Sequence, residues 1–266
     1  MAISLKDLTH KKAPAPARIL IFGPPGMGKT TAAAEFPEPI FLQTEDGYPS
    51  DMPDPPARFE REQLGGFDGL MDAIGALYSE PHDYCTVVID SLDKLEPWVW
   101  EKTCRENNWA TIETPGYGKG YLAAEMQWRE ILGGLNALRR ERGMAIVLIA
   151  HSTIETVNDP TTVAYSRYDI RLQKRAVALF QDEMDAILFV NQDVTIKHDD
   201  PKAKSSRSRA DGGGNRWIYA APRPAFVAKN RFGIPDKIMC ARGETYAELA
   251  KYLPAPSERT GEAVAA

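Results

Sequence analysis

The stretch GPPGMGKTT, residues 23–31, constrains the fold more than any other part of the sequence. It matches the spacing GxxxxGK[ST], follows the apolar run RILIF (18–22) and precedes TTAAAEF (30–36), which is typical of a helix start. Glycine lets the backbone turn tightly, so that several N–H groups point towards one anion. The spacing therefore predicts a phosphate-binding loop between a buried strand and a helix. The predicted loop residues are Gly23, Pro24, Pro25, Gly26, Met27, Gly28, Lys29, Thr30 and Thr31.

Two side chains of this loop and one distant carboxylate predict ATP and Mg²⁺ as ligands. Lys29 places a positive charge at the β- and γ-phosphates, and the Thr30 hydroxyl is a ligand for Mg²⁺. Asp90 ends the apolar run CTVVID (85–90), a position from which a carboxylate holds Mg²⁺ through water. Hydrolysis of ATP with Mg²⁺ is the activity that these three residues predict.

Hydrolysis also needs a carboxylate that orients the attacking water. Many ATPases have a Glu directly after the strand Asp, but Ser91 occupies that position here. Glu45 follows the run PIFLQT (39–44), and strand ends gather at the nucleotide edge of such sheets. Glu45 is therefore the predicted base, and the neighbouring Asp46 is the alternative.

The apolar runs predict an α/β fold. Each is apolar throughout instead of alternating, as in strands that are buried on both faces. Residues 121–142 and 171–185 between or after them have apolar side chains at helical spacing. Alternation of strands and helices predicts a mostly parallel sheet flanked by helices. The runs are RILIF (18–22), PIFLQT (39–44), CTVVID (85–90), MAIVLIA (144–150) and AILFV (186–190).

The ends of the chain and two internal segments depart from this alternation. Residues 193–222 predict two strands with a long polar, Gly-rich connection, and AFVAK (225–229) a third, so we expect a C-terminal antiparallel extension. Residues 45–66 contain several prolines and little periodicity, which predicts a loop. We expect a flexible arm at 1–17, one ATPase core at 18–253 and a flexible tail at 254–266.

Composition limits the environment and the partners. The chain has 266 residues and a formal net charge of −5, so contacts with nucleic acid need local basic patches. Its three cysteines form no CxxC pair, which argues against a disulfide scaffold or a zinc site. The sequence has neither an apolar run long enough to span a bilayer nor a signal peptide, so we expect a cytoplasmic protein without membrane contact.

The order of four short motifs resembles the RecA-type ATPases, which include recombinases and replicative DnaB-type helicases. The motifs are TEDG (44–47), YGKGY (117–121), IAHS (149–152) and AKNR (228–231), and the resemblance covers residues 18–240. It is strongest to phage ATPases of the AAA type with single-strand annealing activity. The resemblance implies a RecA-like P-loop NTPase fold with Glu45 as the base and His151 as a γ-phosphate sensor. Lys229 and Arg231, in a DnaB-like Lys-x-Arg pattern, would act in the site of the next subunit.

Three segments are candidates for binding single-stranded DNA, because they mix aromatic residues with cations or are locally basic. The first, 106–120, contains Trp109, Tyr117 and Lys119. The second, predicted as a loop over 152–170, contains Tyr165, Arg167 and Tyr168 and leads into Arg171, Lys174 and Arg175. The third, 197–209, contains Lys202, Lys204, Arg207 and Arg209. Ordinary solvated loops are the alternative in each case.

The sequence thus predicts an oligomeric ATPase of the recombinase or annealing type. We expect single-stranded DNA and further copies of the chain as partners, with a single-strand DNA-binding protein or another replication or recombination protein as a further possible partner. Two alternatives stay open. One is a helicase or translocase subunit of the same fold, and the other is a nucleotide-gated loader or switch that binds a protein.

Overall fold

The structure is a computed structural model that describes residues 15–47, 52, 54–198 and 208–254, with the backbone alone for 194–198 and 208–213. The terminal tail and most of the N-terminal arm expected from the sequence lie outside these ranges. Within them, no helix is both long and apolar enough to cross a membrane.

The described residues form ten strands. They are β1 (Arg18–Gly23), β2 (Pro39–Gln43), β3 (Ala57–Phe59), β4 (Thr86–Asp90), β5 (Ala145–Val157), β6 (Tyr165–Ile170), β7 (Ala186–His198), β8 (Ser208–Tyr219), β9 (Lys229–Asn230) and β10 (Lys237–Met239).

Seven helices connect or follow these strands in the described chain. They are α1 (Lys29–Ala34), α2 (Arg61–Leu64), α3 (Phe67–Ser79), α4 (Leu92–Asn107), α5 (Lys119–Glu141), α6 (Lys174–Glu183) and α7 (Thr245–Ala250).

One mixed sheet organises the fold, with the strand order β10-β8-β7-β1-β5-β4-β2-β3. The six strands from β7 to β3 run parallel to one another. Strand β8 is antiparallel to β7, and β10 is antiparallel to β8. The predicted fold class, a mostly parallel sheet flanked by helices with a C-terminal antiparallel extension, is confirmed.

The apolar runs are buried on both faces because helices cover both sides of the sheet. In β1, Leu20 and Phe22 belong to the core beneath α3, α4, α5 and α6, whereas Ile19 and Ile21 belong to the core beneath α1 and α7. Both faces of a central strand therefore bury apolar area, which explains why the run lacks alternation. This arrangement leaves the carboxyl ends of the parallel strands open at one edge.

Two segments predicted as loops contain regular structure. In 45–66, β3 adds to the edge of the sheet beside β2, and α2 begins where the Glu60 N–H donates to the Gln63 side chain (2.8 Å). In 152–170, β5 continues to Val157 and pairs antiparallel with β6. Both predictions were wrong. Strand β3 is stabilised by pairing with β2, and β6 by pairing with β5, and the periodicity of a segment does not reveal its pairing partner.

The C-terminal extension has one more difference from the prediction. The short strand expected at AFVAK begins only at its last residue, in β9, while Phe226 forms isolated bridges with Tyr168 and Arg223. Strand β10 and helix α7, which the sequence did not predict, complete this part of the molecule.

Candidate nucleotide-binding site

The predicted phosphate loop connects β1 to α1 at the carboxyl edge of the sheet. A Cβ at Gly23 would overlap the carbonyl oxygen of Val190, so β1 and β7 approach closely where the loop begins. Gly26 and Gly28 have φ values of +76° and +80°, a region that favours glycine. Glycine is therefore favoured at all three positions, at Gly23 by the lack of space for a side chain and at Gly26 and Gly28 by the backbone conformation.

Lys29 points back into the loop. Its side chain is buried, and Nζ donates to the carbonyl oxygens of Gly23 (3.1 Å) and Pro24 (2.9 Å). Burial lowers the pKa of Lys29, although the negative charges of Asp90, Asp93 and Glu45 oppose that change. A cation held among loop carbonyls is available to an anion that enters the loop, and a nucleotide phosphate fits this requirement.

Thr30 and Asp90, the two predicted Mg²⁺ ligands, are in contact at the wall of the cleft. The Thr30 hydroxyl donates to Asp90 Oδ2 at 2.7 Å. Burial raises the pKa of Asp90 to about 6, and the charge of Glu45 acts in the same direction. A buried carboxylate with a hydroxyl beside it and a second acid nearby provides the oxygen ligands and negative charge that suit Mg²⁺. Thr30 and Asp90 are the residues that would hold the ion.

Glu45 is positioned by the ends of β2 and β4. The Ser91 hydroxyl donates to Glu45 Oε1 at 3.1 Å. The Thr44 hydroxyl accepts from Ser91 N (2.8 Å) and donates to Ser91 O (2.6 Å), so the two strand ends are tied together. Glu45 lines the cleft, whereas Asp46 is exposed and is not among the lining residues. The choice of Glu45 as the base stays a prediction.

His151 lies in the middle of β5 and connects the cleft to the start of α4 and to the segment before α6. It lies beside Gly23 in the sheet and lines the cleft. The Asp93 carboxylate accepts from the His151 backbone N (3.0 Å), lies 3.1 Å from Nδ1 and also pairs with Arg171. Burial alone would raise the pKa of Asp93, but the hydrogen bonds from His151 and Arg171 outweigh it and hold the pKa well below its usual range. A triad of His151, Asp93 and Arg171 therefore joins the cleft to the start of α6.

The cleft has a volume of about 420 Å³. It contains side chains that sequence reasoning missed, on β8, on the turn before α7 and at the end of α1. Glu35 lies only four residues after Thr31 but belongs to no motif, and the others lie far from the phosphate loop along the chain, so no local pattern marks them. The missed lining residues are Glu35, Arg216, Cys240, Arg242 and Thr245.

Lys229 and Arg231 are not near the cleft of their own chain. Strand β9 pairs with the first residues of β7, at the amino edge of the sheet, opposite the phosphate loop. Lys229 Nζ donates to the carbonyl oxygens of Gln181 (2.5 Å) and Asp182 (3.0 Å) at the end of α6. Arg231 Nη1 lies 3.3 Å from Asp185 Oδ1, and the Arg231 side chain is 54% exposed.

The first DNA-binding candidate, 106–120, connects α4 to α5. Tyr117 is fully exposed with a φ of +49°, Trp109 is half-buried, and Lys119 is the first residue of α5. A Cβ at Gly120 would overlap the carbonyl oxygen of Ile112, so this connection packs tightly on the start of α5. Tyr117 therefore projects from a connection that is held at its base.

The second candidate is a β-hairpin instead of a mobile loop. Arg167 pairs with Asp169 (2.8 Å), and the Tyr168 ring lies 5.1 Å from that of Phe189. Both side chains thus have partners within the hairpin or the sheet. Tyr165, at the start of β6, is half-buried.

The three cations after the hairpin differ in their contacts. Arg171 is bound to Asp93, and Arg175 Nη1 lies 3.2 Å from Glu125 Oε1 on α5. Lys174, the first residue of α6, is exposed. Of the third segment, Lys202, Lys204 and Arg207 lie outside the described residues, and only the backbone of Arg209 is described, in β8 opposite Lys197.

Comparison with known proteins gives one family. A family model described as an AAA domain matches residues 15–232. A search of curated proteins finds no match. Among solved structures, the crystal structure of the RadB recombinase is 15% identical, with a TM-score of 0.45 over 85% of this chain and 86% of that chain.

Proposed function

Because this chain belongs to the family of the AAA domain, we propose that it is an ATPase that binds ATP and Mg²⁺ in the cleft at the carboxyl edge of the sheet. The observation that supports this most directly is the contact between the Thr30 hydroxyl and Asp90, with Lys29 buried in the loop beside it. Support also comes from the cavity itself, which is lined by residues of the loop, by Asp90 and Glu45, and by His151 in the middle of β5.

Each residue around this cavity has one proposed role. Lys29 binds the β- and γ-phosphates, and Thr30 and Asp90 hold Mg²⁺, which neutralises phosphate charge when bound. Glu45 orients the attacking water from its position beside Ser91. His151 senses the γ-phosphate, and its contact with Asp93 transmits the change.

We further propose that the nucleotide controls binding of single-stranded DNA, as in a recombinase or annealing protein. Support comes from the triad, since Arg171 follows the hairpin and precedes the basic start of α6. Exposed Tyr117 and Lys174 offer a ring for stacking and a charge for phosphates. Binding of ATP would order this surface, and hydrolysis would release the strand.

Oligomerisation is part of the proposal, because the cleft and the Lys-x-Arg pair lie at opposite edges of the sheet. If copies stack edge to edge, Arg231 of one subunit meets the cleft of the next. An Arg supplied across an interface stabilises the charge of the transferring phosphoryl group, and it makes hydrolysis depend on assembly.

A second candidate function is a nucleotide-gated switch that binds a protein. It is favoured by two apolar side chains one turn apart on α5, Leu122 and Met126, which are 51% and 72% exposed. A helicase or translocase of the same fold would need sustained unwinding, which an annealing protein does not.

Steady-state ATP hydrolysis with and without single-stranded DNA tests the proposal. We expect a several-fold rise with single strands, a smaller rise with duplex DNA, and no turnover in Lys29→Ala, which loses the phosphate-binding cation. In the same assay, Glu45→Gln should lose turnover while Asp46→Asn keeps it. An ATPase rate that is the same with and without DNA, in a chain that still binds a protein partner, would favour the switch. Loss of turnover in Asp46→Asn with normal turnover in Glu45→Gln would make Asp46 the base.

A further inference from the structure

The guanidinium of Arg216 lies against the phosphate loop of its own chain. At Gly28, the residue before Lys29, a Cβ would overlap Arg216 Nη1. At Gly26, in the same loop, a Cβ would meet no atom within 4 Å. Of these two glycines with positive φ, only Gly28 therefore has a close neighbour, and that neighbour is a cation.

The sheet holds Arg216 in this position. Arg216 pairs with Gln192 on β7, two residues beyond Val190, whose carbonyl oxygen lies against Gly23. Its own carbonyl oxygen accepts from Cys240 N at 2.9 Å. The backbone of Arg216 is thus held by β7 on one side and by Cys240 on the other, and its side chain reaches Gly28 of the phosphate loop.

The turn between β10 and α7 forms the adjoining wall of the cleft. Glu35, which follows α1, accepts from Gly243 N (2.6 Å) and Tyr246 N (3.0 Å). This contact fastens the turn, with Arg242 and Thr245, to the helix that begins in the phosphate loop. The antiparallel extension is therefore built into the cleft.

We propose that Arg216 binds the polyphosphate of the nucleotide in the same chain, with Arg242 at the lip of the cleft. A guanidinium presents paired donors that match phosphate oxygens, and it stays charged at any working pH. This inference rests on the proposed function and extends it. The chain contains its own arginine for the phosphates, separate from the Lys-x-Arg pair at the amino edge.

Nucleotide affinity of the full-length chain tests the assignment. We expect Arg216→Ala to weaken binding of ATP and of ADP about tenfold or more, since charge-assisted hydrogen bonds are lost. Arg216→Lys should recover part of the affinity, because it keeps the charge without the paired donors. Arg223→Ala is the matched control, since Arg223 lies on the same extension over the Tyr219 ring and away from the cleft. Titration calorimetry measures all four proteins, and circular dichroism checks their folding.

Mixing two variants separates action within a chain from action between chains. Arg216→Ala and Lys29→Ala, combined in equal amounts, should show no tight ATP sites, because each chain then lacks one of two cations needed together. Recovery of tight sites would show that Arg216 acts across an interface and would overturn the assignment. If Arg216→Ala does not fold, Arg216→Gln, which keeps most of the side-chain stem, replaces it.

The outcomes distinguish this inference from the proposed function beneath it. A wild-type chain that binds ATP, together with an Arg216→Ala variant of unchanged affinity, refutes the role of Arg216 alone. A wild-type chain that binds no ATP refutes the proposed function as well.

Discussion

At the scale of single residues, the cleft contains buried charged groups whose pKa values depend on one another's charges. Asp90 is almost inaccessible to solvent, and the Thr30 hydroxyl is its hydrogen-bonding partner. Lys29 and Glu45 lie near enough to affect its titration in opposite directions. Such a group is costly in its charged form until a cation binds, so the site is prepared for a ligand at the expense of stability.

The titration of Asp90 gives a prediction for the protein without nucleotide. Its pKa rises from 3.8 unfolded to about 6 folded, so the folded state holds more protons between these values and loses stability as pH increases through them. Asp90→Asn removes this cost. We expect the variant to be more stable than the wild type at pH 8 by up to about 3 kcal/mol, with the gain vanishing towards pH 4. Urea unfolding at several pH values measures it.

Asp72→Asn is the control for this prediction, because Asp72 is an exposed acid on α3. It should leave the free energy of unfolding nearly unchanged across the same pH range. Equal stability of Asp90→Asn and the wild type at pH 8 would show that Asp90 is not a destabilising charge in the folded state.

At the scale of secondary-structure elements, α4 links the cleft to the proposed DNA surface. Asp93 in its first turn binds His151 and Arg171, and one turn later Glu96 accepts from Gln173 N at 2.9 Å. Burial raises the pKa of Glu96 to about 7. Two acids on one face of α4 thus hold the junction between β6 and α6, so movement at His151 has a direct route to that junction.

Helix α5 supports the first DNA-binding candidate, 106–120, and contains one glycine in a crowded position and one in an open position. A Cβ at Gly120 would overlap the Ile112 carbonyl oxygen, whereas a Cβ at Gly133 would meet nothing within 4 Å. Gly120→Ala should therefore cost about 2 kcal/mol or more, and Gly133→Ala should stabilise the helix by about 0.5–1 kcal/mol. Thermal unfolding compares the two variants.

Fluorescence of Trp109 would report whether the connection before α5 moves in Gly120→Ala, although four other tryptophans need to be replaced or subtracted. A stability of Gly120→Ala equal to that of the wild type would mean that the connection shifts without cost. The base of the exposed Tyr117 segment would then not be rigid.

At the scale of the whole molecule, the two edges of the sheet have different charged groups. The carboxyl edge has the cleft, and the amino edge has a cluster in which Asp185 pairs with Arg18 (3.1 Å), Arg139 (3.4 Å) and Arg231 (3.3 Å). Arg231 is the most exposed of these cations. One chain by itself therefore does not bring Arg231 to its own cleft.

This separation predicts that Arg231→Ala binds ATP like the wild type but hydrolyses it at least tenfold more slowly, since an arginine across an interface lowers the barrier. Mixing it with Lys29→Ala should recover part of the turnover, because one type of interface combines an intact phosphate loop with an intact Arg231. The unmixed variants at equal total concentration are the controls. No recovery, in mixtures where mixed oligomers are shown to form, would exclude a shared site.

Local patterns were sufficient for the core of the fold and for the phosphate loop. Short apolar runs predicted five parallel strands, because a strand buried on both faces needs apolar side chains throughout. The spacing of glycines with Lys29 and Thr30 predicted the loop, since its geometry depends on backbone conformations within nine consecutive residues. Asp90 could be placed at a strand end because it directly follows the apolar residues of β4.

What the sequence alone determined is thus the five central strands of the core, the phosphate loop and residues within a few positions of these elements. Only the tertiary structure brought Arg216 and Arg242 to the cleft, paired the two ends of 152–170 in a hairpin and placed Arg231 at the opposite edge of the sheet. The positions of Arg216 and Arg231 depend on the pairing of β8 and β9 with β7, and the hairpin depends on the pairing of β5 with β6. A strand pair is stabilised by its partner and its packing as well as by its own residues. Residues that meet in this way have no shared spacing by which the sequence could reveal them.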